Sequence, residues 1–463
     1  MTSEPDTSKT FERALLFLGV MGALVAVLAV IAVLTDSTPA TEPADTGGPG
    51  AAPASTETIE VHYDLTEFTI LGPQEFRPGR VEMMIQNDGA AIHNLVIEGG
   101  ARSEDIAAGG TTLLDAGELA AGEYTIFCDI PGHREVGMEL DIVVSEEAPA
   151  DTVTAHEDMT PEQLNQMMMD SMLAFPAETD GKGNQPLEPV EIKADGTKVF
   201  ELTAEVIQWE VEPGKFVDAW AYNRQVPGPW IRLDVGDKIE VEITNLTPLG
   251  TDIHWHGIST PNNMDGVAPY TQDPILTGET FTYAFEAERP AVGMYHAHFH
   301  SQVSVPNGMF GAIMIGDTQL PLGRTVSGIE IPEDLEVAQE IPMVLNDAGV
   351  IGFSLNGKSF PATEPYVVTE GDWLVYHYYN EGLTVHPMHQ HQFPQLVFAK
   401  DGIPLDVPFW ADTINVAPGE RYSVLVHADR AGTWVWHCHI LTHVERDTGM
   451  FGMVTALVVQ EEG

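Results

Sequence analysis

Basic residues are scarce in this chain. Only 20 Lys and Arg stand against 70 Asp and Glu in 463 residues, a formal charge of −50. That balance excludes a general nucleic-acid binder, whose phosphate contacts need clusters of Lys and Arg. The acidity is not gathered into one block, so it describes a whole surface. Such a surface stays soluble in concentrated salt, where self-repulsion is screened, and a halophilic source is expected. Cysteine is scarcer still. Cys128 and Cys438 are the only two, which rules out a disulfide framework and allows one bridge at most. Long apolar runs are missing with one exception, Ala14–Leu34, which has 21 residues and no charge. That is long enough to cross a bilayer and longer than the core of a usual signal peptide. Lys9 and Arg13 precede it, and no Lys or Arg follows until Arg77. The positive-inside rule leaves residues 1–13 in the cytoplasm and the rest outside. A single-pass cell-membrane protein with extracellular domains is therefore expected.

Apolar residues make up 43% of the chain, which rules out disorder for most of its length, and the length itself suggests about three domains. Residues 35–57 are rich in Thr, Pro, Ala and Gly and read as a flexible stalk. Beyond them come short alternating runs such as Val81–Ile85, Lys238–Ile243 and Trp373–His377. Gly and Pro punctuate these runs, as in Gln225–Pro229 and Ala417–Gly419. The pattern predicts an all-β chain of three tandem β-sandwiches, at 58–145, 190–318 and 335–463, with 319–334 as connector. The linker 146–189 carries one helix candidate. Thr160 can cap it, Pro161 suits its first position, Gln163 completes a capping box and Pro176 ends it. Its Met159, Met167, Met168, Met169 and Met172 read as packing or as a relay for cuprous ion.

The first sandwich contains His93 and then, in Tyr124–Met138, Cys128, His133 and Met138. Two imidazoles, a thiolate and a weak thioether are the ligand set of a blue-copper electron-transfer centre. A buried structural cysteine among surface histidines would account for any one of these residues, but not for four ligand types in this order. The segment resembles the plastocyanin-like cupredoxins and matches their His…Cys-x4-His-x4-Met pattern. That resemblance implies a Greek-key cupredoxin fold, with His93, Cys128 and His133 as strong ligands and Met138 as the axial one.

The other two sandwiches hold four histidine clusters: His254 and His256; His296 and His298; His386, His389 and His391; and His437, Cys438, His439 and His443. Strand side chains alternate, so residues i and i+2 share a side about 7 Å apart. His437 and His439 then turn one way and Cys438 the other. One segment touches two metal sites and offers a through-bond path between them. Of the 17 histidines, His300 is the ambiguous one, two residues beyond His298, and reads as a solvated or supporting residue.

Here the chain closely resembles the multicopper oxidase family over 190–463, with all four of its copper signatures. The resemblance implies copper as cofactor, with a type 1 centre at His386, Cys438 and His443 and Met450 as axial ligand. It implies His254 and His389 at the type 2 copper. His256, His296, His298, His391, His437 and His439 would hold the type 3 pair. Asp265 matches the acidic residue that manages protons near the trinuclear cluster. The implied reaction takes single electrons from a small molecule, Cu(I) or a redox protein and reduces O2 to water. His443 to Met450 is longer than the family's usual spacing, which leaves Met453 as the other axial candidate. Ala297 stands where a copper nitrite reductase would be expected to carry a cysteine, so nitrite reduction is the runner-up. The cluster histidines fall on consecutive sandwiches, as in two-domain laccases, which implies a homotrimer with the cluster between chains. The first copper then becomes an entry or exit relay, or a docking site for a redox protein.

Overall fold

The computed structural model describes residues 58–461, apart from 67–68, 88–90, 108–109, 132, 135–137, 147, 149–159 and 447–448. The expected cytoplasmic N-terminus, membrane helix and stalk lie outside these residues, as does Met159. Among the described residues no helix is long and apolar enough to cross a membrane.

Three β-sandwiches follow one another, each built on the same plan. Strand Thr58–Thr66 runs parallel to Gly79–Asn87, Lys198–Glu212 to Lys238–Asn245, and Val337–Ala348 to Trp373–Asn380. Their sequences alternate because a strand repeats every two residues. Val81, Met83 and Ile85 therefore point inward in the first sandwich, and Ile239, Val241 and Ile243 in the second. The candidate ligands lie on the opposite sheet or on the loops that adjoin its strands. In the first sandwich that sheet holds Val96–Ile97, Gly122–Phe127 and Glu139–Val144. In the second it joins His254–His256, Ala291–His296 and Phe310–Ile315. In the third, His386–Gln390 and Thr413–Val416 pair beside Gly432–Cys438 and Val454–Gln460.

Each sandwich has its own core. A further apolar cluster, including Trp209, Val292, Phe310, Val344 and Tyr379, spans the second and third. Burying each such side chain contributes about 1.5–3 kcal/mol. Polar contacts fix the register of this seam. Trp209 Nε1 donates to Gly357 O at 2.7 Å, and Lys358 Nζ to Glu210 O at 2.7 Å.

A buried asparagine ends the second strand of each parallel pair: Asn87, Asn245 and Asn380. Each Nδ2 donates to two carbonyls, those of Ala91 and Ile106, Leu249 and Ile275, or Thr384 and Val416, and all six bonds measure 2.8 Å. These loops lead directly to His93, His254 and His386. One polar side chain thus orders the approach to a ligand three times over.

The helix, α1, spans Pro161–Leu173. Thr160 Oγ1 accepts from Gln163 N, and Gln163 Oε1 accepts from Thr160 N, which closes the capping box. None of its residues is buried. It lies against the short strand Gly449–Met450, where Met450 N donates to Ser171 Oγ at 2.9 Å.

Candidate metal centres

Cys128 and Cys438 are free and fully buried. Cys128 Sγ lies 3.4 Å from His133 Nδ1, which in turn is 3.1 Å from His93 Nδ1. In the third sandwich, Cys438 Sγ lies 3.5 Å from His443 Nδ1 and 3.8 Å from His386 Nδ1. Both trios bring a soft sulfur and two ring nitrogens onto one point, with ligand atoms within 4.8 Å of one another. That donor set fits copper. Burial lowers His93 and His443 to about 4 and pushes the Cys438 thiol up to about 12. The imidazoles therefore keep their lone pairs at neutral pH, and a cation must displace the thiol protons.

The axial position departs from expectation. Cys128 N donates to Met138 O at 3.1 Å, and Met138 N to His133 O at 3.0 Å. In the third sandwich the same two bonds run from Cys438 N to Met453 O and from Met453 N to His443 O, both at 3.0 Å. Met453 is fully buried, as is Met138. Met450 is only half-buried and is held to α1. Met453, not Met450, thus stands where Met138 stands. The cause is the extra length after His443, which forms a small hairpin of Glu445–Arg446 on Gly449–Met450.

The remaining eight histidines form two fours. His254 lies opposite His296 across the antiparallel register, and His389 opposite His437. Ring centroids within the first four are 5.5–5.8 Å apart. Within the second they are 5.0–5.7 Å apart. In each four, two rings are pinned by their own backbone surroundings. His254 Nδ1 points at Asp265 O, His296 Nδ1 at Ala297 O, His389 Nδ1 at Asp412 O and His437 Nδ1 at Cys438 O, all at 2.7–3.0 Å. A carbonyl only accepts, so each Nδ1 carries the proton and Nε2 is left as the donor atom. His391 Nε2 and His437 Nε2 meet at 3.2 Å accordingly. His298, His391 and His439 are exposed. Among the described residues, every ring contact of these eight stays within its own four.

Cys438 turns inward and His437 outward, as strand alternation requires. Three further residues support the first four. Asp252 is fully buried and accepts from His298 N and Phe299 N at 2.7 Å and from Ala268 N at 3.0 Å. Gly266 has φ +76°, and a Cβ there would sit 1.7 Å from Ile253 O, so the turn carrying Asp265 requires glycine. Arg421 reaches over from the third sandwich, with Nε donating to Val292 O at 3.0 Å. Burial, reinforced by the Arg421 charge, holds His256 down to about 4. Asp265 Oδ1 is 3.6 Å from His254 Nδ1. His300 is exposed, begins a short helical turn at φ 57° and joins neither four.

Comparison with known proteins agrees with this geometry. Residues 203–320 and 331–461 match multicopper oxidase families, and residues 24–138 match the cupredoxin-like domain. The solved multicopper oxidase mgLAC is 34% identical, with a TM-score of 0.52, over 57% of this chain and 86% of that one. The chain belongs to the multicopper oxidase family. The blue copper oxidase from Nitrosomonas europaea is 32% identical, with a TM-score of 0.51, over 57% of this chain and 86% of its own. Among curated relatives, Laccase-2 of Botryotinia fuckeliana is 31% identical over 247 residues, 47% of this chain and 41% of that protein. The chain spans about two fifths of the length of such curated relatives.

Proposed function

We propose that the chain is a laccase-like copper oxidoreductase, coupling one-electron oxidation of a reductant to four-electron reduction of O2 to water. One observation carries this reading. Cys438 turns into its sandwich toward His386 and His443, while the adjacent His437 turns outward into a histidine four. Copper bound in these sites would supply the electron storage and the oxygen chemistry. The chain's own part is to hold, join and insulate. His386, Cys438, His443 and Met453 form one centre, and a single peptide segment links it covalently to a four. Asp265, beside His254, is placed to hold and release protons there.

For eight histidines to share one cluster, the four on the second sandwich of one copy must meet the four on the third sandwich of another. The exposed histidines of each four favour this, closure of such a contact by symmetry makes a ring, and the resemblance to two-domain laccases makes that ring a homotrimer. Residues 14–34 would anchor it, with the copper domains outside the cell. The centre at His93, Cys128, His133 and Met138 serves as a relay to or from the oxidase. A copper nitrite reductase fits less well, because Ala297 leaves the second sandwich without a thiolate. Metal analysis with oxygen uptake, screened against a phenol, Cu(I) and a small redox protein, tests the activity. The copper content should exceed that of two thiolate centres. Fully metallated protein that consumes no O2 with any donor would overturn it. Active monomer in sedimentation at low concentration would remove the trimer.

Cu(I) as donor is favoured by one further observation. Helix α1 and the segment after Cys438 enclose a cleft of about 450 Å3, lined by Leu164, Met168, Leu441, Thr442 and Arg446. Met169 and Met172 are exposed on the same helix. Soft thioethers suit Cu(I). Replacing Met168, Met169 and Met172 by Leu should slow oxygen uptake with Cu(I) and spare it with a phenol; equal rates would exclude this donor.

A further inference from the structure

His386 Nδ1 is turned toward Cys438 Sγ at 3.8 Å. The opposite nitrogen, Nε2, must then carry the ring proton if Nδ1 is to bind a metal. That Nε2 is buried and makes no hydrogen bond. Asp347 Oδ2 faces it at 3.5 Å, slightly beyond hydrogen-bond length, and both side chains are almost wholly out of water. The Asp347 carboxylate has a second task. Its oxygens accept from Leu383 N at 2.6 Å, from Thr384 N at 2.8 Å and from the Thr384 hydroxyl. Every one of these partners is a donor, as a carboxylate requires. They fix the loop that delivers His386, so the acid is held rigidly against the back of the ring.

From this geometry we infer that Asp347 is a positioning residue for the centre at Cys438: it orients His386 through Nε2 and lowers that centre's reduction potential. The inference rests on the reading of His386, Cys438 and His443 as copper ligands. Ligating imidazoles generally give their other N–H to an acceptor, which fixes the ring and raises its basicity. A fixed negative charge in a poorly screened site favours the oxidised, more positive form of the centre. Asp347 comes from the strand Val337–Ala348, remote in sequence from every motif histidine.

The test uses the full copper-loaded chain with Cys128→Ser, so that the Cys438 centre alone contributes the thiolate-to-copper absorption. In that background Asp347→Asn should make the centre about tenfold easier to reduce, a rise of about 59 mV for a one-electron couple. Thr384→Val, which loosens the same loop but keeps the charge, should leave the potential close to the parent's. An absorption band with an unmoved potential in Asp347→Asn would overturn the role of Asp347. An equal shift in Thr384→Val would overturn it too, by assigning the effect to the loop. No band at all in the Cys128→Ser parent would instead overturn the copper reading. Should Asp347→Asn fail to load copper, pulsed EPR of the remote imidazole nitrogens in the parent decides. The two remote nitrogens are expected to differ, because one faces a carboxylate, and two equivalent ones would end the inference.

Discussion

At His386 and His443 the Nδ1 nitrogen is turned toward sulfur, whereas at His254, His296, His389 and His437 it is turned toward a carbonyl and Nε2 becomes the ligating atom. The rings of the thiolate centre are buried inside one sandwich, while the fours open at a sandwich edge. The backbone makes the difference. A loop returning past Cys438 brings His443 alongside the sulfur, and regular strand pairing sets His389 across from His437. A centre that only changes its electron count gains from closure and rigidity. Under the proposed function, a site that admits O2 and protons gains instead from an open edge.

The largest effects should come from cutting one kind of site and sparing the other. In a Cys128→Ser background, Cys438→Ser should abolish the remaining thiolate-to-copper band and reduce oxygen uptake to background. His439→Ala should keep the band and lose the uptake equally. If the His439 variant still turned over, the division of labour would fail. Next in size is Asp265→Asn. General acid–base groups contribute about a hundredfold or more, so oxygen uptake should fall by about that factor with the band unchanged. Unaltered turnover would count against a proton role for Asp265.

The legible part of this molecule is the part encoded within single strands. Alternation separates Cys438 from His437, and spacing groups His254 with His256, because both depend only on a period of two. The capping box of α1 is likewise local. What the sequence hides comes from elsewhere in the chain. Asp347 and Asp252 have no motif around them, and Arg421 supports His256 across the seam between two sandwiches. The axial methionine shows the limit most clearly. Spacing from His443 favours Met450, but the pairing of Glu445–Arg446 with Gly449–Met450 uses up that length, and only the backbone bonds to Cys438 and His443 single out Met453. Separation of the two fours within one chain is also a property of packing, invisible to motif counting.

Smaller effects should sharpen the contrast by loosening one approach loop at a time. Asn380→Ala leaves the carbonyls of Thr384 and Val416 without their donor, and Asn245→Ala does the same to those of Leu249 and Ile275. An unsatisfied buried group costs about 1–3 kcal/mol, so both variants should lower the denaturant midpoint similarly. Their spectra should differ. Asn380→Ala slackens His386 and should shift the thiolate-to-copper band, whereas Asn245→Ala slackens His254 and should leave it in place. Matching spectral shifts in both would mean that the two kinds of site are mechanically coupled.

The smallest effect lies where the two kinds of site adjoin. Glu381 opens the loop to His386 and feels the charge of Arg421, which supports His256. Burial raises its carboxyl from 4.5 to about 8, against the pull of Arg421. The folded protein therefore keeps a proton on Glu381 that the unfolded chain loses above about pH 4.5. Its contribution to stability is fully present below that pH and is lost as the pH rises toward 8. Glu381→Gln, neutral throughout, should remove this decline. The variant should match the parent at pH 4 and exceed it at pH 8 in urea midpoint. Parallel curves across that interval would show that Glu381 is ionised in the folded state and paired with Arg421 after all.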